Sequence, residues 1–398
     1  MKKRAGLVVE PALPSRNAAR SPHQERHQVK KKKKEVSGFP RRSMAVAALA
    51  AASSLLLAAC SGPAEEPSEQ ERQTVKFGIS VTSWSGGVAS LVVSDANGYF
   101  DEEGIDVEWV MLESGSTVAQ QIAGGAIDVG AVTPEPVIIG ASEDLGLDLL
   151  FFASYYAKPI YGIAAPKESG ITEVTDLKGK TVGVGTLGGL EMTNAVVALN
   201  HAGIDPADVN FLAIGFGAQQ AAAVANGTVD AVSLWDTQIA ALENTGLDMH
   251  ILDLPSMGDI TSGGLAAKRE TFEEKKDLYA KIGRAVAKGV YFAQANPEAA
   301  IKVMYDTHPE TKSSTVAEAE ALANDIRVLE TRLRSIGVPT GQQWGVLTEE
   351  NLAASVDYLL TAELISKPVD AKSLFTDELL DEMNDFDVDA IVTDARGR

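Results

Sequence analysis

Acidic, aromatic and small polar side chains sit just after the short apolar runs of this chain. Ser83 and Trp84 follow Thr74–Ser80, and Gly115, Ser116 and Thr117 follow Val107–Leu112. Thr133 and Glu135 follow Val129–Val132, Phe216 follows Val209–Ile214, and Trp235 and Asp236 follow Ala231–Leu234. Thr186, Gly188 and Gly189 come after Lys180–Gly185, and Tyr155 and Tyr156 lie within Phe151–Ala165. This is binding chemistry. A carboxylate pairs with an amino-heterocycle, an aromatic ring stacks on it, and helix N-termini and hydroxyls hold its polar edge. The equipment for turnover is missing from the pattern. There is no Gly-x-Ser-x-Gly, and beyond residue 59 the histidines are His201, His250 and His308, none at metal-ligand spacing. No metal, no cofactor and no enzymatic activity are therefore expected.

The charge distribution bears on the ligand. No Lys or Arg occurs between Lys76 and Lys158, or between Lys180 and Lys268. These spans hold nearly all the loops just named. An anion there would lack a bidentate arginine clamp, while Glu113, Glu135, Glu191 and Asp236 lie in or near the same loops. The expectation is a neutral or cationic ring. Lys158, and more remotely Lys268, are the cations that could reach an anion instead.

The elements that position these residues are written twice. Gly115–Asp128 (GSTVAQQIAGGAID) and Gly217–Asp230 (GAQQAAAVANGTVD) have the same plan. Each opens with Gly after a strand-like stretch and continues as an Ala/Gln-rich helix. Each then reaches Gly125 or Gly227 where a helix C′ residue belongs, followed by a short apolar strand. Two β-α-β units imply two α/β lobes with parallel sheets, whose ligands bind beyond the strand C-termini. Thr74–Ser80 reads as a first strand, Ala89–Asn97 as a helix, and Glu191–Ala202 as the first helix of the second lobe. Phe151–Ala165 and Met249–Ala267 are the natural crossovers and hinge. From Asp277 onward the spacing is helical over Leu278–Asn296, Pro297–Tyr305, Thr315–Ile336 and Thr348–Ile365. Pro297 suits a first helical turn, and Thr348 and Thr376 suit N-caps.

Cys60 is the one cysteine among 398 residues. It closes the apolar run Met44–Ala59 within Leu57-Ala58-Ala59-Cys60, behind Arg41-Arg42 and the basic block Lys30–Lys34. Basic region, short apolar region, small residues and Cys are the grammar of a lipoprotein export signal. The run is 16 residues, short of the ~20 that a membrane span needs. Cys60 is expected to carry the lipid and to begin the mature chain outside the cytoplasm. Arg41-Arg42-Ser43-Met44-Ala45 loosely fits a twin-arginine signal, and Val29 or Val36 are alternative starts. Residues 1–59 hold 13 basic and 3 acidic side chains, leaving 22 basic and 52 acidic and a net charge of −30 in the remainder. That balance excludes nucleic acid as a partner.

These features are accompanied by longer matching phrases. Ala96-Asn-Gly-Tyr-Phe-Asp-Glu-Glu-Gly-Ile-Asp-Val-Glu108, Gln121-Ile-Ala-Gly-Gly-Ala-Ile-Asp-Val-Gly130 and Val174-Thr-Asp-Leu-Lys-Gly-Lys-Thr-Val-Gly-Val184 are three. The 226–232 run and Phe375-Thr-Asp-Glu-Leu379 agree. Over roughly residues 74–386 the chain resembles the solute-binding lipoproteins of ABC importers, in the nitrate/sulfonate/taurine and thiamine-pyrimidine-precursor group. The resemblance implies a periplasmic-binding-protein-like fold of type II. Its two Rossmann-like lobes enclose a ligand cleft, a helical C-terminal region follows, and a monomer captures a small molecule and passes it to a permease. The expected organisation is an export signal over 1–59, a lipidated tether over 60–73, one lobe from 74–158 with 265–398, and a second over 159–264. A thiamine pyrimidine precursor fits the residue inventory, and a sulfonate, taurine or nitrate is the alternative. A third reading comes from Gly183-Val-Gly-Thr-Leu-Gly188, which matches the dinucleotide fingerprint of a Rossmann oxidoreductase. The following strand ends in Gly215-Phe216 with no acid for a ribose hydroxyl, which weighs against it.

Overall fold

The computed structural model describes residues 72–398, apart from residues 144, 259 and 262. Cys60 and the expected export signal lie outside the described residues. The first sheet has the order β2-β1-β3-β10-β4. Its strands are β1 (Gln73–Ile79), β2 (Ile105–Met111), β3 (Val129–Val132), β4 (Leu149–Tyr156) and β10 (Gly263–Lys268). The second sheet has the order β7-β6-β8-β5-β9. Its strands are β5 (Tyr161–Pro166), β6 (Thr181–Val184), β7 (Asn210–Ala213), β8 (Ala231–Trp235) and β9 (Met249–Ile251). The two orders are one figure used twice. In each, the fourth position is filled by a strand arriving from the other sheet. This is the expected two-lobed, type II arrangement.

One expectation needs correcting. The sheets are mixed rather than parallel. β1 runs parallel to β2 and β3, and β6 to β7 and β8, but β10 and β5 are antiparallel to both of their neighbours. The reason is connectivity. A strand that enters directly from the other sheet has no crossover helix to turn it round, so it runs the opposite way.

The internal repeat is physical. Asp128 Oδ2 accepts the Lys76 backbone N–H at 3.1 Å, and Asp230 Oδ2 accepts the Thr181 N–H at 2.8 Å. Each aspartate ends its repeat by fastening the neighbouring strand, β1 or β6, the second in its sheet. Gly125 and Gly227 sit two residues past the helices Gly115–Ala123 and Ala218–Ala225, at φ +73° and +64°. Only glycine adopts that left-handed region without strain.

The crossovers set the geometry of the site. Tyr156 ends β4 and pairs with Gly263, which opens β10 beside Val132 at the end of β3. Tyr161 opens β5 and pairs with Trp235 at the end of β8. Residues 157–160 join Tyr156 to Tyr161, so the strand C-termini of both sheets face the same short linker. Gly263 has φ +125°, and a Cβ there would run into the Val132 carbonyl oxygen.

The helical C-terminal region packs over this frame. The helix Lys276–Ala295 is largely buried and shares a core with Ala89–Ala96, while Glu349–Thr361 packs on the other face of the first sheet. Thr348 caps Glu349–Thr361, its Oγ1 accepting the Asn351 N–H at 3.2 Å. Thr376 caps no helix. Its hydroxyl accepts the Glu378 N–H in a turn, and the short helix begins at Leu380. The helix expected from Thr315 begins at Glu318, because Ser313 and Thr315 engage each other in a hydroxyl turn. That helix, Glu318–Ile336, reaches the second sheet. Asn244 Nδ2 donates to the Asn324 carbonyl at 3.0 Å, and Arg332 pairs with Asp236.

Candidate ligand site

The first sheet's contribution begins at Thr133, the N-cap of Pro134–Ser142, with Glu135 in that helix's first turn. Both are buried. A Cβ on Gly115 would lie 3.1 Å from Thr133 Oγ1, so the N-terminus of Gly115–Ala123 abuts the same spot. Ser116 is exposed and Thr117 partly buried, its N–H already donating to Ser114 Oγ at 3.2 Å. Burial raises the pKa of Glu135. Its own backbone N–H and the nearby Thr133 hydroxyl oppose the rise, although Thr133 Oγ1 and Glu135 Oε2 have no partner of hydrogen-bond geometry.

The second sheet supplies the facing groups. Tyr161 is buried, and its hydroxyl pKa is raised by burial and by the charges of Glu135 and Glu191; the nearby Trp235 N–H opposes the rise, although Trp235 Nε1 has no partner of hydrogen-bond geometry. Trp235 packs edge-on to Tyr161 with ring centroids 6.3 Å apart. Glu191, in the first turn of Leu190–His201, is buried and raised by desolvation. One turn on, the Tyr358 hydroxyl donates to Asn194 Oδ1, joining Glu349–Thr361 to the second sheet's helix. Tyr358 in turn feels the charge of Glu135.

At the linker stands a residue that sequence reasoning missed. Arg332 is 5% exposed. Its guanidinium lies 5.2 Å above the Tyr156 ring centroid, with Nη2 2.8 Å from Asp236 Oδ1 and 3.2 Å from Thr237 Oγ1. Asp236 Oδ1 also accepts the Thr237 N–H at 2.7 Å. Burial raises the Asp236 pKa, and Arg332 opposes it. The cleft is thus not free of cations. Arg332 comes from outside both basic-free spans, on a helix whose periodicity alone marks it as packing. Lys158 is exposed on the linker, and Lys268 lies at the far end of β10, paired with Glu270 at 2.5 Å.

The remaining candidates divide. Tyr155 and Tyr156 alternate across β4. Tyr155 points into the helix-covered core, 3.3 Å from Ser90 Oγ, while Tyr156 lies under Arg332. Trp84 packs against Trp109 and His308 at centroid distances of 5.6 and 4.9 Å, and Ser83 is exposed in the loop before it. Thr186, Gly188 and Phe216 are exposed on the second sheet's edge. A Cβ on Gly189 would meet Glu191 Oε2 at 2.5 Å. A Cβ on Gly185, the middle glycine of the fingerprint, would lie 3.3 Å from Glu191 Oε1, so an acid of the chain's own stands where a dinucleotide's pyrophosphate would need to lie.

Among the described residues, nine buried side-chain polar atoms lack a partner, and five belong to this cluster: Thr133 Oγ1, Glu135 Oε2, Asn194 Nδ2, Trp235 Nε1 and Arg332 Nε. Buried polar groups are nearly always satisfied, so their gathering around the two crossovers makes this cluster the candidate ligand site. Among the described residues, no group of three or more His, Cys, Asp or Glu is placed to hold a metal ion.

Comparison with known proteins agrees with this architecture. The chain is 23% identical over 296 residues to the riboflavin-binding protein RibY of Chloroflexus aurantiacus, covering 73% of this chain and 82% of RibY. It is 25% identical over 295 residues to the formylaminopyrimidine-binding protein of Halalkalibacterium halodurans, covering 72% and 84%. A shorter match, 28% over 153 residues, is to the 4-amino-5-hydroxymethyl-2-methylpyrimidine phosphate synthase of Schizosaccharomyces pombe, covering 38% of this chain and 42% of the synthase. Among solved structures, the alkanesulfonate-binding protein SsuA of Xanthomonas axonopodis pv. citri bound to MOPS superposes with a TM-score of 0.57 at 20% identity, covering 77% of this chain and 99% of SsuA. The family model described as NMT1/THI5 like matches residues 86–300, just over half of the sequence, and the chain belongs to that family of periplasmic-binding-protein-like substrate-binding proteins.

Proposed function

We propose that this chain is the extracytoplasmic solute-binding component of an ABC importer, and that it captures a neutral or cationic heteroaromatic such as a thiamine pyrimidine precursor between its lobes. The observation that carries the reading is the set of five unpartnered buried polar atoms at the crossovers. Trp235 and Asn194 offer N–H donors, and Glu135 offers a carboxyl in a site that favours its neutral form. Such a carboxyl shares hydrogen bonds with an amino group and an adjacent ring nitrogen. Tyr156, Tyr161 and Trp235 supply aromatic surface. The riboflavin- and formylaminopyrimidine-binding relatives support a flat heterocycle, and the sulfonate-binding neighbour supports the fold.

The lobes are 74–158 with 265–398, and 159–264, hinged at the linker 157–160 and at the return crossover before β10. Lipidation of Cys60 would hold the protein at the membrane beside its permease. Among the described residues, no helix is long and apolar enough to cross a membrane. Cys60→Ala should release the protein from the membrane fraction or leave its signal uncut; unchanged processing and fractionation would refute the anchor.

The ligand test is a thermal-shift screen of aminopyrimidines, flavins, sulfonates, taurine and nitrate. A solute at 100 times its Kd adds about 2.7 kcal/mol of stability. Small-angle scattering should then show a more compact bound form. A sulfonate, taurine or nitrate as the sole binder would overturn the solute class. Consumption of the solute, followed by mass spectrometry, would overturn the binding role and favour an enzymatic one, as in the synthase relative.

A further inference from the structure

We infer that Asp236 sets the charge selectivity of the cleft, because its pairing with Arg332 cancels the one buried cation placed there and so excludes oxyanions. The inference rests on the proposed solute cleft and refines what enters it.

Arg332 and Lys288 are the buried basic residues among those described. Lys288 is held by Glu102 at 2.7 Å and Glu103 at 3.6 Å, in the helical layer away from the crossovers. Arg332 instead lies on Tyr156, beside the linker between the lobes. A guanidinium in this position is a ready oxyanion receptor. It is planar, permanently charged and weakly hydrated. Here its charge is already met by Asp236 at 2.8 Å, with both side chains shielded at 6% and 15% exposure. What remains is Nε, buried and without a partner. That N–H suits the neutral oxygen or ring nitrogen of a solute better than a full negative charge. The groups facing Arg332 from neighbouring elements are Asp236, Tyr155, Tyr156 and Tyr161, and Ser335 Oγ lies 3.5 Å from Asp236 Oδ2. None of them adds positive charge; Arg334 acts on Asp236 as a second cation, more weakly than Arg332. Glu135 and Glu191 stand beyond Tyr161 and bring no positive charge to the cluster either.

The same geometry makes the selectivity reversible by one atom exchange. Asp236→Asn keeps the side chain's shape and its hydrogen bond with the Thr237 N–H, but leaves the guanidinium charge uncancelled. Arg332→Gln does the converse and leaves the carboxylate uncancelled. Isothermal titration with ethanesulfonate, nitrate and N-methylpyridinium reads the outcome. Asp236→Asn should bind ethanesulfonate or nitrate at least tenfold more tightly than the parent protein. Arg332→Gln should gain at least tenfold for N-methylpyridinium. The double variant should lose both gains. If both single variants fold and neither gains, the pair is a structural clamp and the inference fails. If one fails to fold, the other decides, and failure of both also assigns the pair to a clamp. A parent protein that binds a heterocycle while its variants show no charge response refutes this inference alone. Charge responses in the variants, with no heterocycle bound by the parent, refute the proposed solute and leave the inference standing.

Discussion

Glu135→Gln should flatten the dependence of stability on pH without unfolding the protein. Glu135 is 6% exposed, and its Oε2 has no hydrogen-bond partner. Desolvation holds its pKa above the ordinary 4.5. The sign follows from linkage. A carboxyl with a raised folded pKa keeps its proton in the folded chain while the unfolded chain has released it. Its contribution is fully present below the unfolded value and is lost as pH rises through the folded one. Across that window one proton changes stability by at most about 1.4 kcal/mol per pH unit. Glutamine has nearly the same shape, carries no charge and removes the term. The variant should therefore equal the parent near pH 4 and exceed it increasingly above pH 5. Asp236, Glu191, Asp95 and Asp325 are also raised, chiefly by desolvation. The parent profile sums these with the lowered carboxyls Glu143, Asp176, Glu318 and Glu378, which act with the opposite sign, and only the difference between variant and parent isolates Glu135. Urea unfolding at half-unit steps from pH 4 to 8, without added solute, measures it. A difference profile that is flat, or that falls with pH, would mean that Glu135 is ionised and compensated in the folded protein, and the reading of a neutral carboxyl would be wrong.

Three further substitutions test the architecture. Arg332→Gln strands Asp236 in a buried site with the Thr237 N–H and Ser335 still nearby, so it should cost about 3 kcal/mol in urea unfolding; a loss below about 1 kcal/mol would show that the pair is solvated in solution. Gly263→Ala places a Cβ against the Val132 carbonyl at φ +125°, and should destabilise by about 2–5 kcal/mol from strain and overlap together; a neutral result would require a different path for the return crossover. Tyr155→Phe removes a hydroxyl facing Ser90 at 3.3 Å and should cost up to about 1 kcal/mol of stability with solute affinity unchanged, whereas a large affinity loss would return Tyr155 to the cleft.

The repeated β-α-β units were legible because their signals are local. Gly125 and Gly227 end helices by backbone conformation, and Asp128 and Asp230 follow at fixed spacing to fasten β1 and β6. Apolar periodicity placed the strands and long helices to within a few residues, since burial on one face is a property of neighbouring positions. Thr376 misled because its cap-like spacing served a turn, and local hydroxyl bonding again shortened the helix expected from Thr315. The two-lobe plan and the membership of Glu135, Tyr156, Trp235 and Asp236 in one cluster could be reached from loop positions alone. Which of two adjacent tyrosines lies beside Arg332 could not, because it depends on the face that β4 turns to its neighbours. The sheets became mixed because strands exchanged between lobes enter without a turning helix, a consequence of connectivity rather than of any residue. The charge balance of the cluster was decided furthest from the sequence. A count of basic residues along the chain describes separation in sequence, whereas Coulomb interaction follows separation in space. The helix Glu318–Ile336 closes that gap, bringing Arg332 to 2.8 Å from Asp236, across nearly a hundred residues of chain.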